Sequence, residues 1–154
     1  GVVTTSEESG GGQPITTATY EIILERVYQS LTSFTARNYI KQFMDQNQVQ
    51  MVGTSGTVTT LAAIQLKLER YDRRIIDGLL LETADLQNVI NGLLEMTYDE
   101  RLQHPCVGTG RADLVVVGSA ILQGICRSCP VSSLRVADRG VREGILLELM
   151  RVLE

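Results

Sequence analysis

The sequence predicts a helix-rich α/β domain whose short-stranded sheet is incomplete within the chain. Three observations lead there. Apolar residues recur at helical spacing over most of the chain. A strand, a glycine turn and a helix follow one another between Val49 and Ala63. Only two or three short β-prone segments are present, too few strands to cover so many apolar helix faces. At 154 residues the chain reads as a single domain over 1–154, with 44% hydrophobic and 5% aromatic residues and no Trp, so its core is built from Leu, Ile, Val and Ala.

In chain order, Val2-Val3-Thr4-Thr5 is β-prone and reads as a strand that needs partners from elsewhere. Ser6 to Gln13 belongs to a flexible loop over residues 6–15. Its glycine run, Gly10-Gly11-Gly12, is a linker rather than a phosphate loop, because no apolar strand closely precedes it and no Lys-Ser/Thr follows. Thr16 or Thr17 caps a helix with Tyr20, Ile23, Leu24, Val27, Leu31 and Phe34 on one face. A second helix, Ala36 to Gln46, carries Tyr39, Ile40, Phe43 and Met44. Strand Val49–Val52 leads through the glycine turn into a helix from Val58 to Leu68.

Tyr71 to Gly78 is a polar connection with room for a short strand, and Thr83 caps a helix over Asp85–Met96 with an apolar stripe of Leu86, Val89, Ile90, Leu93 and Leu94. Thr97 caps the short turn Tyr98–Gln103, where Asp99 and Glu100 favour the positive end of the helix dipole. His104-Pro105 stops it. Arg111–Cys126 is apolar nearly all round, the pattern of a buried central helix, and its small residues Gly118, Ser119, Ala120 and Gly124 admit a neighbouring backbone or a ligand. Ser133–Ala137 reads as a strand and Val141–Leu153 as a closing amphipathic helix.

The candidate site is the turn Gly53, Thr54, Ser55, Gly56, Thr57. A strand that runs into such a turn leaves backbone N–H groups free at the head of the next helix, with the helix dipole behind them, and these form an anion or phosphate site. Gly53 and Gly56 let the backbone bend and come close to a ligand, while Thr54, Ser55 and Thr57 cap the helix or add donors. The competing reading is a turn that merely packs tightly. Arg111 can pair with Asp113 or hold a phosphate through its guanidinium fork. His104, Cys106, Cys126 and Cys129 include the ligand types of a zinc site, but Cys126-Arg127-Ser128-Cys129 lacks a second pair at finger spacing, so packed, reduced thiols are the expectation and no metal ligand is assigned. Asp72, Asp77, Asp138 and Glu143 read as solvated caps and ion pairs, and Arg73, Arg74, Arg135, Arg139 and Arg142 as either a polyanion surface or an ordinary solvated face.

A net charge of −4, with no stripe of cations and aromatics, argues against nucleic acid as a partner. No apolar run approaches the roughly 20 residues of a membrane helix, and Gly1–Thr5 is not a signal peptide, so a cytoplasmic, membrane-free setting is expected. The first residue is Gly rather than Met, which suggests a start within a longer reading frame.

Val52–Ala62, Tyr71-Asp72 with Asp77-Gly78, Met96-Thr97, Glu100-Arg101, Gly110–Leu114, Gly118 with Ala120–Leu122, and Val136–Gly144 together resemble the exopolyphosphatase / guanosine pentaphosphate phosphohydrolase family. The resemblance runs over residues 49–150; residues 1–48 are similar only in general character. It implies a ribonuclease-H-like lobe of the actin-like ATPase fold, most of the second of two lobes that face each other across a cleft. It also implies hydrolysis of phosphoanhydride bonds in inorganic polyphosphate or guanosine pentaphosphate, with magnesium, and a ligand-facing role for Gly53–Thr57. The first lobe's phosphate loop, the catalytic carboxylates and the acidic magnesium ligands that the family carries have no counterpart in these residues. No catalytic residue is therefore assigned here, and the isolated chain is expected to be inactive. The alternative is a non-catalytic sensor of phosphates or nucleotides. An incomplete sheet leaves edges for the missing first lobe or for a second copy in a homodimer.

Overall fold

A computed structural model describes residues 1–9, 15–46 and 48–151. The loop expected over 6–15 falls partly outside these residues, as does the end of the closing helix. Among the described residues the elements run α1 (Val2–Glu8), α2 (Thr17–Arg37), α3 (Ile40–Asp45), β1 (Met51–Gly53), α4 (Gly56–Gln65), α5 (Arg73–Ile76), β2 (Leu80–Glu82), α6 (Thr83–Glu95), α7 (Tyr98–Gln103), α8 (Leu114–Ser128), β3 (Ser133–Val136) and α9 (Val141–Arg151). The sheet has order β1-β3-β2, with β1 parallel and β2 antiparallel to β3, in a register of Val52 opposite Arg135 opposite Leu80. Leu81, Leu134 and Val136 are buried on one face beneath the helices.

The central helix is α8. Val115, Val116, Val117, Ala120, Leu122 and Cys126 are all buried on it. Two glycines set how closely its neighbours lie. A Cβ on Gly118 would stand 2.1 Å from Thr57 Oγ1, so α8 touches the head of α4 there. A Cβ on Gly124 would stand 2.8 Å from the Leu24 carbonyl oxygen, so α8 meets the α2 backbone about one and two-thirds turns further on. A polar chain fixes the same layer: the Tyr20 hydroxyl donates to Gln123 Oε1 at 2.7 Å, Gln123 Nε2 donates to Gln87 Oε1, and Gln87 Nε2 donates to Asn91 Oδ1 at 2.9 Å.

Several caps follow the sequence. Thr16 Oγ1 accepts from Thr19 N–H at 3.1 Å, and Thr97 and Glu100 form a reciprocal capping box at the head of α7. Arg101 is buried, and its guanidinium donates to the Leu93 and Met96 carbonyls at 3.1 and 2.5 Å, which satisfies the end of α6.

Other expectations are corrected. Val2–Thr5 is helical rather than extended, and residues 6–8 continue that helix instead of opening a loop; a lone strand there would have no partner, whereas a helix packs on α8. The helix expected over Ala36–Gln46 is broken at Tyr39, which takes φ 53 between α2 and α3. The connection Tyr71–Gly78 forms the short helix α5, and its strand comes later, at Leu80. Thr83 lies inside α6 rather than capping it, because its hydroxyl donates to the Val131 carbonyl at 2.7 Å. α8 begins at Leu114, three residues after Arg111, and α4 begins at Gly56, ahead of the expected Val58, and ends at Gln65.

Candidate functional site

The site is assembled by the crossing from β1 to α4. Gly53 ends β1, and its carbonyl accepts from Ala137 N–H at 2.9 Å, which ties the turn to the end of β3. Ser55 is the N-cap of α4: its Oγ accepts from Val58 N–H at 3.3 Å and its carbonyl from Thr59 N–H at 3.2 Å. That leaves the amides of Gly56 and Thr57 at the head of α4 without intrahelical acceptors. A ten-residue helix stands behind them, so they present the positive end of its dipole.

Arg111 completes this group from the other side of the fold. It sits in the loop before α8, and its Nη1 lies 3.4 Å from the position a Cβ on Gly56 would take. A Cβ there would stand at ordinary contact distance, so the guanidinium lies directly against Gly56. Among the described residues no carboxylate lies within ion-pair distance of Arg111, so the expected alternative, pairing with Asp113, is not made. The structure thus brings Gly53, Thr54, Ser55, Gly56, Thr57 and Arg111 together on the wall of one cavity of about 550 Å³. Polar groups cluster at the turn and Arg111. Along α8 and the strands the same cavity is apolar, with Met51, Leu114, Ile121, Leu122, Ile125 and Leu134.

Two further groups fall within the sequence motifs without being expected as site residues. Thr60 lines this cavity, is 1% exposed, and its hydroxyl has no hydrogen-bond partner. Tyr71 faces Thr59 and Asp138, and its hydroxyl is raised above the ordinary tyrosine value, chiefly by burial. Neither has a spacing signal, since each acquires its place only through the fold.

The surface arginines resolve differently. Arg73 pairs with Asp138 at 3.0 Å and with Glu143 at 3.3 Å; Arg74 pairs with Asp72 at 3.2 Å and Arg139 with Asp77 at 3.1 Å. Arg135 donates to the Gly78 carbonyl at 2.8 Å. Arg73, Arg135 and Arg139 tie the segment 72–78 to the segment 135–143, while the Arg74 pair is local. Glu143 accepts from Gly140 N–H at 2.8 Å, and that bond, its own backbone N–H and Arg73 hold its carboxyl down to about 2.

The thiols are separate. Cys106 Sγ donates to the Leu68 carbonyl at 3.1 Å, and Cys106 N–H donates to His104 Nδ1 at 3.2 Å. Cys126 is pushed up to about 11, mainly by burial, and burial raises Cys106 and Cys129 as well. Protonated thiols are poor nucleophiles and poor metal ligands. Among the described residues no three His, Cys, Asp or Glu side chains gather as a metal site, and no helix is long and apolar enough to cross a membrane.

Comparison with known proteins places the chain in a family. The family model described as the Ppx/GppA phosphatase family matches residues 1–152. Exopolyphosphatase 2 of Mycobacterium tuberculosis (strain CDC 1551 / Oshkosh) is 30% identical over 102 residues, which cover 64% of this chain and 32% of that protein. The crystal structure of the Aquifex aeolicus member of the Ppx/GppA family superposes on the whole chain with a TM-score of 0.82 at 23% identity, over 47% of its own length. An exopolyphosphatase from Cytophaga hutchinsonii superposes with a TM-score of 0.70 at 21% identity, covering 90% of this chain and 43% of that one. The helix-rich α/β fold expected from the sequence is the fold these structures share. The chain spans about a third of the curated relative and about half of these solved structures.

Proposed function

The chain belongs to the Ppx/GppA phosphatase family, and we propose that it forms most of the second lobe of a two-lobed hydrolase of phosphoanhydride bonds. Its substrate is inorganic polyphosphate or guanosine pentaphosphate, and this chain supplies one wall of the cleft. The observation that carries the reading is the meeting of Arg111 with the glycine turn: a guanidinium without a carboxylate partner among the described residues lies against Gly56 at the helix head, on the wall of the same cavity. Guanidinium and helix head both favour an anion there.

In such a reaction a water attacks the terminal phosphorus and the bridging P–O bond breaks. Negative charge grows on the oxygens of the leaving chain, where pre-oriented donors and a cation lower the barrier. Arg111 and the amides of Gly56 and Thr57 suit that role, holding the phosphate chain in line and offsetting its charge. A magnesium ion, which the family resemblance implies, needs hard carboxylate oxygens. The donor set at the turn consists of amides, hydroxyls and a guanidinium, and Asp138 is already paired with Arg73. These residues do not fit such a site, so the metal ligands and the general base are assigned to residues outside this chain. Closure of the other lobe, or of a second copy, would exclude water from the cleft.

One observation favours a second reading, in which the chain binds without catalysis. Among the described residues no carboxylate pairs with Arg111 or is bonded to the turn. What the chain itself carries is a binding surface, which is all that a phosphate or nucleotide sensor needs.

The test is release of phosphate from long-chain polyphosphate with magnesium, run on this chain beside the protein made from its full reading frame. Activity in the longer protein alone supports the lobe. Activity in the chain would mean that a base lies within these residues. If both are silent yet the melting temperature rises with guanosine pentaphosphate, the sensor reading stands.

A further inference from the structure

His104 is the single histidine of the chain, and its ring makes a bond that only a neutral imidazole can make. Nδ1 accepts from the Cys106 N–H at 3.2 Å. An accepting ring nitrogen carries no proton, so the neutral tautomer has its hydrogen on Nε2, and a second proton would delete the bond. Cys106 is itself buried, and its thiol donates to the Leu68 carbonyl at 3.1 Å. The turn after α7 is thus anchored at Cys106 on the segment that follows α4.

From this anchor a run of backbone bonds leads to Arg111. The His104 carbonyl accepts from Val107 N–H at 3.1 Å and from Gly108 N–H at 3.4 Å. The Gly108 carbonyl accepts from Arg111 N–H at 3.2 Å, and the Arg111 carbonyl from Val115 N–H at 2.8 Å, at the head of α8. Val107 and Ala112 are buried at the two ends, whereas Gly108, Thr109, Gly110 and Arg111 between them are exposed. The place of Arg111 therefore depends on where this exposed arm starts.

No carboxylate among the described residues, Glu69 included, lies within ion-pair distance of His104. Arg101 of α7, whose carbonyl accepts from His104 N–H at 3.2 Å, turns its guanidinium to the end of α6, and the Cys106 thiol turns to Leu68. Burial is left to hold the imidazole below the ordinary histidine value.

We propose that His104 is a positioning residue for the anion site: its neutral ring fixes Cys106, and the turn built on Cys106 sets the place from which Arg111 reaches the glycine turn. This regulation concerns the site read above as phosphate-binding, and rests on that reading in its binding arm alone. Because the fold favours the neutral ring, the positioning is complete above pH 6.5 and is lost as the pH falls through the lower value of the folded ring.

The experiment compares the whole chain with His104→Asn and His104→Leu. Asparagine supplies an acceptor for the Cys106 N–H that does not titrate, as in an Asx turn, and leucine supplies none. Each form is studied at pH 7 and at a lower pH where the ring resonance of the single histidine shows it charged. Amide exchange at Cys106, Gly108 and Arg111 is read first, without phosphate. At pH 7 the leucine variant should exchange about 3–10-fold faster than the other two at all three amides, the usual worth of one hydrogen bond. At the lower pH the unsubstituted chain should join the leucine variant, while the asparagine variant stays protected. Binding of inorganic tripolyphosphate is then read as a ratio to the asparagine variant at each pH, which cancels the titration of the ligand. The unsubstituted chain should match that variant at pH 7 and bind about 3–10-fold more weakly when its ring is charged.

A change at Cys106 that leaves Gly108 and Arg111 untouched would overturn the positioning role. So would tighter binding by the charged form, the sign expected if the imidazolium acted on the anion by its charge. If no form binds tripolyphosphate yet the exchange follows the expected pattern, the phosphate reading fails and the arm stands. If Arg111→Gln weakens binding but all three forms bind alike at both pH values, the phosphate reading stands and the role of His104 fails.

Discussion

Gly118→Ala tests the contact between the central helix and the candidate site. In a helix this change normally helps, because Gly is about 1 kcal/mol worse than Ala in a helix interior. Here the added Cβ would stand 2.1 Å from Thr57 Oγ1, 2.8 Å from Cγ2 and 3.0 Å from Cβ. Rotating Thr57 moves the hydroxyl but not its Cβ, so no rotamer relieves the crowding and α8 must part from α4 by about 1 Å. Overpacking of this kind costs about 3 kcal/mol at the upper end of its usual range. Against the propensity gain, the net loss is about 2 kcal/mol, a fall of about 4–8 °C in melting temperature for a chain of this size. Calorimetry of the single variants and of the double variant with Thr57→Ala checks the cause. With Thr57 truncated, the same substitution should be neutral or mildly stabilising, since most of the clash is gone and the propensity gain remains. A Gly118→Ala protein as stable as the parent would refute the argument, as would a loss that Thr57→Ala leaves unchanged.

Gly124→Ala should be harsher and should resist rescue: the nearest atom is the Leu24 carbonyl oxygen, 2.8 Å away, and truncating Val27 does not move backbone. Thermal unfolding with and without Val27→Ala measures this. At the site, Arg111→Gln should weaken binding of a phosphate ligand by about 10–100-fold, the usual worth of a charge-assisted hydrogen bond, with the circular dichroism spectrum unchanged. Gly56→Val should act in the same direction by driving the guanidinium out of its place, and titration calorimetry against inorganic tripolyphosphate reads both. Glu143→Gln tests the pinning of α9. Because the folded carboxyl titrates at about 2 against an ordinary 4.5, its contribution is complete above pH 4.5 and fades as the pH falls toward 2. The stability difference between Glu143→Gln and the parent should therefore be present at pH 7 and vanish near pH 2; a difference unchanged at pH 2 would count against the pinning.

The parts legible in the sequence are those fixed by neighbours a few residues apart. Thr97 and Glu100 announce a capping box because each needs only the other's backbone. Ser55 caps α4 for the same reason. The charge-poor run of α8 and its glycines gave away a buried helix with close neighbours, although not which neighbours. What stayed hidden depends on long-range geometry. Val2–Thr5 carries β-branched residues that favour a strand, yet a strand without a partner is worse than a helix laid on α8. Leu80–Glu82 is too short for a period to show, and only pairing with β3 makes it a strand. The meeting of Arg111 with Gly56 follows from the close packing of α8 on α4, which no local spacing encodes. Arg73 and Arg139 stayed open between a polyanion surface and an ordinary solvated face because their partners, Asp138 and Asp77, lie far off in sequence.

The hydrogen-bonded chain through Gln123 has a consequence for α8 itself. A helix apolar on nearly every side has many rotational settings of similar energy, and dispersion contacts alone distinguish them poorly. Gln123 is the amide that breaks this degeneracy, with Tyr20 of α2 on one side and Gln87 of α6 on the other. Turning α8 by one residue, about 100°, would break both part-buried hydrogen bonds of Gln123 and leave the hydroxyl of the buried Tyr20 unpaired. Gln123 thus works as an indexing pin, and the azimuth that it sets is the one that turns Gly118 toward Thr57 and brings Arg111 over the glycine turn.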